Sequence, residues 1–252
     1  MNVLLTNDDG IRSPGIHTLA QAFAAAGHRV FVCAPDRERS AASHSVTLAA
    51  ALHAEPVDFP CAERAWASDG TPSDCASLGL FLARDAGVDL VVSGINRGMN
   101  MGGACVYSGT VNAAMEASMC GCQGLAVSLC TEANRGEDLN DYGPAARLAL
   151  RVAERIGDHP LPLGALYSLN VPALPYDGIR GLVPARLAPV FLDPPDYAPA
   201  EDGGWRYRGF PRRFDDERYD TVLVDRGFAT LTKLTWDWRM DADDGDINEI
   251  GL

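Results

Sequence analysis

Val3-Leu4-Leu5-Thr6-Asn7-Asp8-Asp9-Gly10, followed closely by Ser13-Pro14-Gly15, is the stretch from which the fold is read. A short apolar run stopped by Asn-Asp-Asp-Gly reads as a buried strand ending in a turn. Ser13-Pro14 has the form of a helix start, with a capping hydroxyl and a proline in the first turn. Ile16, Leu19, Ala20 and Phe23 recur at helical spacing, and Gly27 closes the helix. Residues 29–34 give a second strand, ending at Pro35-Asp36.

Outward from this unit the alternation continues. Residues 40–53 lack a period and read as a loop leading to an extended segment. Pro72 starts a helix with Cys75, Leu78, Gly79 and Leu82 on one face, and Leu90-Val91-Val92 is a buried strand ending in Ser93-Gly94-Ile95-Asn96. Ser108-Gly109-Thr110 opens an Ala-rich helix to Met119, 125–129 is a strand, and 143–156 is a helix with Leu148, Val152 and Ile156 along one side. Strands alternating with helices predict an α/β fold, a mostly parallel sheet covered on both faces. Ligands of such sheets bind beyond the carboxyl ends of the strands, where the polar segments 7–10, 35–45 and 94–109 fall. Beyond 175, prolines 184, 189, 194, 195, 199 and 211 punctuate a tract containing Trp205, Tyr207 and Tyr219. Residues 221–234 read as two strand-like runs split by Asp225-Arg226-Gly227. The expectation is a single domain over 1–252. Its α/β core spans 1–175, and an irregular β-rich extension at 176–252 covers the site or pairs subunits.

At 252 residues and 47% hydrophobic content the chain can bury a large core. Acidic residues exceed basic ones by 34 to 21, a net charge of −13, which argues against a nucleic-acid polymer or an anionic membrane as partner. A small phosphorylated substrate then needs a local source of positive charge, such as a metal ion or helix N-termini. No apolar run reaches the ~18 residues of a membrane span, and the opening residues lack the basic start and small-residue cleavage site of an export signal. The expectation is a soluble, cytoplasmic protein. Its seven cysteines, scattered through apolar surroundings, read as small buried hydrophobes rather than a disulfide framework.

Asp8-Asp9 is the strongest chemical feature. Adjacent carboxylates aimed at one loop repel each other unless a cation or a shared proton intervenes, and oxygen ligands suit Mg²⁺ or Mn²⁺. The same residues also read as an Asx turn between strand and helix. Ser40 and Asn96, at other strand ends, offer neutral oxygens. Ser108-Gly109-Thr110 supplies amides and hydroxyls for phosphate oxygens. Gly98-Met99-Asn100-Met101-Gly102-Gly103 is no P-loop, because the Lys-Ser/Thr ending is missing. Arg37 and Arg39 read as steering residues or as partners of Asp36 or Glu38. Trp205, Tyr207 and Trp236 read as base-stacking or as packing aromatics.

These blocks together resemble the SurE family. Asn7-Asp8-Asp9-Gly10 with Ser13-Pro14-Gly15 is similar to its opening signature. Ala34-Pro35-Asp36-Arg37 with Ser40, Gly70-Thr71-Pro72-Ser73-Asp74-Cys75, Ser93-Gly94-Ile95-Asn96-Arg97-Gly98 with Asn100, and Tyr107-Ser108-Gly109-Thr110-Val111 follow in family order. The resemblance implies a Rossmann-like core and a C-terminal extension used in forming dimers or tetramers. It implies one divalent metal ion per subunit, held by Asp8, Asp9, Ser40 and Asn96, and hydrolysis of nucleoside 5′- and 3′-monophosphates, with short polyphosphate as a further substrate. Asp8 or Asp9 would take the proton of the attacking water. Asn100, Ser108, Gly109, Thr110 and His44 are the expected phosphate and substrate contacts, His44 being the nearest candidate for a general acid. The chain departs from the family in having Gly103-Ala104-Cys105 where an acidic residue is common, His44 where asparagine is frequent, and Thr232-Lys233-Leu234 near its end. A phosphatase of the haloacid-dehalogenase type needs a second aspartate two residues after the first, where this chain has Gly10. A non-catalytic nucleotide binder would need the phosphate cradle but not the carboxylate pair.

Overall fold

The computed structural model describes residues 1–131, 141–189, 197–207 and 215–236. Parts of the predicted extension, 190–196, 208–214 and 237–252, lie outside the described residues. In chain order the elements are β1 (Asn2–Thr6), α1 (Pro14–Ala25), β2 (Arg29–Pro35), β3 (Ala54–Pro56), β4 (Arg64–Ser68), α2 (Pro72–Leu82), β5 (Leu90–Arg97) and α3 (Gly109–Met119). There follow β6 (Gln123–Cys130), α4 (Gly143–Asp158), β7 (Ala165–Pro172), β8 (Leu182–Pro184), β9 (Tyr197–Pro199), β10 (Trp205–Tyr207), α5 (Asp220–Asp225) and β11 (Ala229–Thr235).

The main sheet runs β3-β4-β2-β1-β5-β6-β7-β11-β8. From β4 through β7 neighbouring strands are parallel, while β3 and β11 join antiparallel to β4 and β7. The chain leaves β1 toward β2 and β4, then returns to lay β5 on the other side of β1. That reversal makes the carboxyl end of β1 the switch point of the sheet, where a crevice opens between diverging connections. The run Val3-Leu4-Leu5 lacks polar alternation because both faces of β1 are covered. Val3 and Leu5 enter the core shared with Ile16, Phe23 and Val152 of α1 and α4, whereas Leu4 packs with Cys75 and Ala113 of α2 and α3.

Four sequence expectations change on contact with the structure. Ser13 occupies the N-cap of α1 but makes no capping bond; its hydroxyl accepts instead from Asn7 Nδ2 at 2.7 Å. Asn7 also donates to Gly10 O and accepts from Gly10 N, so its side chain knits the whole turn. On α2, Leu78 and Leu82 are half-buried, and the buried face is Pro72, Ser73, Asp74, Cys75, Ala76 and Gly79. The first of the two strand-like runs near the C-terminus is the helix α5. Its β-branched residues favour a strand, but Asp220 is fully buried and its carboxylate accepts from the amides of Gly102, Ala188 and Thr221. Those bonds fix the helix start, so tertiary contacts override propensity. Residues past 176 therefore enter the central sheet, through β8 and β11. Four cysteines are buried as expected, but Cys61 and Cys120 are exposed; all seven are free thiols.

Among the described glycines, the closest helix–sheet approach is at Gly15, where an added Cβ would lie 2.1 Å from Ile95 O. Backbone cannot yield that far, so Gly15→Ala is expected to destabilise the protein by about 3 kcal/mol in urea unfolding. Gly178→Ala, whose Cβ meets only ordinary contacts at 3.7 Å or more, should change stability by less than about 0.5 kcal/mol.

Candidate active site

Asp8 lies two residues beyond β1, at the switch point, and is 5% exposed. Thr110 holds both of its oxygens, the hydroxyl donating to Oδ1 at 2.6 Å and the amide to Oδ2 at 3.3 Å. A Cβ on Gly109 would lie 2.9 Å from Asp8 Cβ and 3.0 Å from Pro72 Cγ. The first turns of α2 and α3 therefore converge on this carboxylate, and their dipoles favour negative charge there. Burial nonetheless dominates: desolvation raises the Asp8 pKa, against the lowering effect of the Thr110 bonds.

Two backbone bonds bring the remaining predicted ligands to Asp8 and Asp9. The Arg39 amide donates to Asp8 O at 2.7 Å, which sets Ser40 beside the turn. The Arg97 amide donates to Asp9 Oδ2 at 3.1 Å, which brings Asn96 alongside. Asn96 spends its Nδ2 on Gly98 O at 3.1 Å, leaving the side-chain oxygen as an acceptor. The exposed Ser40 hydroxyl donates to Glu38 Oε1 at 2.6 Å, leaving its lone pairs open. Asp9 is half-buried, and its pKa is pushed up to about 6 by desolvation first and by the Asp8 charge second, with Glu38 adding to the repulsion. An all-oxygen donor set around mutually repelling carboxylates fits a hard divalent cation. No grouping of three or more His, Cys, Asp or Glu capable of holding a metal occurs among the described residues. A cation here would accordingly need the neutral oxygens of Ser40 and Asn96 as well as the two aspartates.

The other predicted contacts divide. Ser108 caps α3, accepting from the Val111 amide at 3.0 Å. Thr110 commits its amide and hydroxyl to Asp8. Asn100 is 7% exposed, with Nδ2 donating to Ser128 Oγ at 2.8 Å and both main-chain groups bonded to the Asn170 side chain. His44 reaches Glu116 Oε2 through Nε2 at 2.8 Å, and Ser43 ties the same loop to the main chain of Val106 and Tyr107. Arg37 and Arg39 pair with Asp36 at 3.6 and 3.9 Å, the second of the two readings offered by the sequence. Trp236 bonds through its amide to Gly164 O. Gly164 precedes β7, at the amino end of the parallel strands, so Trp236 is at the wrong end of the sheet to stack a base bound near Asp8. Trp205 is 72% exposed on β10, and the Tyr207 side chain lies outside the described residues. Sequence reasoning missed Asn170, Ser128 and Glu116, which act across 28 to 72 residues of separation. A polar residue at a strand's carboxyl end, as in Asn170-Val171-Pro172, was the available signal.

A doubly wound sheet with paired carboxylates at its switch point defines a class of α/β proteins that handle charged small molecules. The model of the family described as Survival protein SurE matches residues 3–191, and the chain belongs to that family. It is 45% identical over 247 residues to the 5′-nucleotidase SurE of Thermosynechococcus vestitus, covering 94% of this chain and 91% of the relative. It is 46% identical over 191 residues to the 5′-nucleotidase SurE of Synechococcus sp. (strain JA-3-3Ab), covering 75% and 72%. The crystal structure of the SurE protein from Aquifex aeolicus superposes with a TM-score of 0.83 at 30% identity, covering 99% of both chains.

A carboxyl whose pKa is about 6 when folded and 3.8 when unfolded binds more protons in the native state, so its charge costs stability as pH rises through that window. With chelator present, Asp9→Asn should be nearly neutral near pH 4 and stabilising by about 2 kcal/mol above about pH 7 in urea unfolding. Equal effects at both pH values would mean that the Asp9 charge is already compensated by the protein.

Proposed function

We propose that this chain is a metal-dependent phosphomonoesterase that hydrolyses nucleoside 5′- and 3′-monophosphates to nucleoside and phosphate, with short polyphosphate as a secondary substrate. The observation that carries the reading is the buried Asp8 with its half-buried neighbour Asp9, set at the switch point where two helix N-termini meet. The nucleotidase names of the relatives support the same class of substrate.

Asp8, Asp9, Ser40 and Asn96 hold the divalent ion, Mg²⁺ or Mn²⁺. When bound, the ion supplies Lewis acidity toward a phosphoryl oxygen and an attacking water. Thr110 serves the reaction indirectly: its two bonds prevent Asp8 from rotating, so Asp8 positions and does not exchange protons. Asp9 has one oxygen free of the Arg97 amide and takes the proton of the water. The Ser108 hydroxyl, which accepts from Val111 but keeps its own proton, joins the Gly109 amide and Asn100 Nδ2 in holding phosphate oxygens. His44, held through Nε2 by Glu116, would give the departing ribose oxygen a proton from Nδ1 with both ring nitrogens protonated, and would regain it from the proton that Asp9 takes from the water.

Phosphate release from AMP, GMP and 3′-AMP should require Mn²⁺ or Mg²⁺, stop in EDTA, and fall by about 100-fold or more in Asp8→Asn with folding intact. Turnover indifferent to chelator and to the substitution would overturn the metal assignment. Nucleotide binding without turnover on any ester would make the chain a binding protein.

Self-association through the extension belongs to the same proposal. Among the described residues, the β9–β10 ribbon pairs with no strand of the main sheet, and Trp205 is 72% exposed. Trp205→Asp should convert a dimer or tetramer to smaller species in sedimentation velocity; an unchanged mass would move the interface elsewhere.

A further inference from the structure

The register of the sheet places Asn96, Ser128, Asn170 and Thr230 side by side across β5, β6, β7 and β11. The row starts at a proposed metal ligand and runs beneath the loop that follows β5. That loop brings Asn100 back over the sheet. The Asn100 amide donates to Asn170 Oδ1 at 3.0 Å, and Asn170 Nδ2 donates to Asn100 O at 3.0 Å. One carboxamide thus satisfies both main-chain groups of one residue, as a neighbouring strand does in a ladder. Ser128 Oγ accepts from the Asn100 side chain at 2.8 Å. Asn170 and Ser128 are each 1% exposed.

Burying this many polar atoms is costly unless every partner is placed, and an apolar residue at 170 would support the sheet at lower cost. The bonds converge on Asn100. Its main chain is immobilised and one Nδ2 hydrogen is committed, which leaves the second Nδ2 hydrogen as its uncommitted donor. We infer that Asn170, seconded by Ser128, is a positioning residue for phosphate recognition, fixing Asn100 so that this donor is presented to a phosphoryl oxygen. The inference rests on the proposed contact between Asn100 and phosphate. The carboxamide is needed at 170 because it donates and accepts from one plane. Aspartate keeps the acceptor for the Asn100 amide but sets a carboxylate against the Asn100 carbonyl.

The test measures the inhibition constant of inorganic phosphate, KM and kcat for AMP, and Mn²⁺ affinity, in Asn100→Ala, Asn170→Ala, Asn170→Asp, Ser128→Ala and the Asn100→Ala/Asn170→Ala double variant. Asn170→Ala and Asn170→Asp should each weaken phosphate about tenfold, and Ser128→Ala by about threefold, with Mn²⁺ affinity held within about twofold. The double variant should bind phosphate no more weakly than Asn100→Ala, because Asn170 acts through Asn100. Should Asn170→Ala fail to fold, Ser128→Ala, which removes one hydroxyl, carries the same comparison in an Asn100→Ala background. Phosphate affinity unchanged by the 170 and 128 substitutions, or losses that add to that of Asn100→Ala, would overturn the inference while leaving Asn100 a ligand. Asn100→Ala without effect on phosphate would overturn both the contact and the inference, and absence of phosphate release by the wild type would point instead to failure of the functional reading.

Discussion

Two like charges in consecutive residues, set just past the end of an interior strand of a sheet and largely removed from water, are the condition to which the surrounding structure answers. Asp8 is the more demanding of the two. Thr110 meets both of its oxygens, and α3 approaches closely enough to do so because position 109 carries no Cβ. The same approach brings α2 in through Pro72, whose helix is locked by the reciprocal Thr71–Asp74 cap. Asp74 in turn accepts from the amide and hydroxyl of Thr47, tying down the long loop after β2. A chain of close contacts thus runs from one carboxylate to the loop that bears Ser40 and His44.

The charge of the molecule makes this local arrangement necessary. With a net charge of −13, long-range attraction of an anionic substrate is not available. The nearest arginines after β2 are already neighbours of Asp36. Glu38 adds a further negative charge that disfavours ionisation of both aspartates. Positive potential comes from helix N-termini, and the proposed cation would add to it. The proposed divalent ion would relieve the repulsion that disfavours ionisation of Asp9 beside Asp8.

The fold was largely legible because its signals are local. Apolar runs covered on both faces, helical spacing and proline-led helix starts located β1, β2, β5, β6 and α1 through α4 within a few residues. What was not legible depends on partners far along the chain. The β-branched run at 221–224 becomes helix because the Asp220 carboxylate finds amides at 102 and 188. Ser13 makes no capping bond, its hydroxyl accepting from Asn7, six residues away, and the Asn7 carboxamide knits the turn. The carboxylates were visible as Asp8-Asp9, but the assignment of Thr110 to Asp8 was not, since nothing at 110 distinguishes a hydroxyl that binds phosphate from one that binds a carboxylate 102 residues earlier.

The loop from Gly98 to Tyr107 shows why the C-terminal part of the chain, so different in composition, is inseparable from the site. Asn170 of β7 holds its main chain at Asn100, and Asp220 of α5 holds it two residues further on at Gly102. Ser43, from the loop after β2, holds its far end at Val106 and Tyr107. A loop rich in glycine has little stiffness of its own, so its shape leans on these three attachments, together with Asn112 Nδ2 donating to the carbonyls of Cys105 and Val106 and the Gly98 amide donating to Leu129 O. Asn170 and Asp220 come from chain beyond residue 160, and Asp220 is a fully buried carboxylate whose amide partners at Gly102 and Ala188 would be left unsatisfied if α5 undocked. Removing the C-terminal segment would therefore cost more than the apolar surface it covers: it would loosen the backbone between Asn96 and Ser108, the stretch that joins Asn96, a proposed cation ligand, to the helix that steadies Asp8.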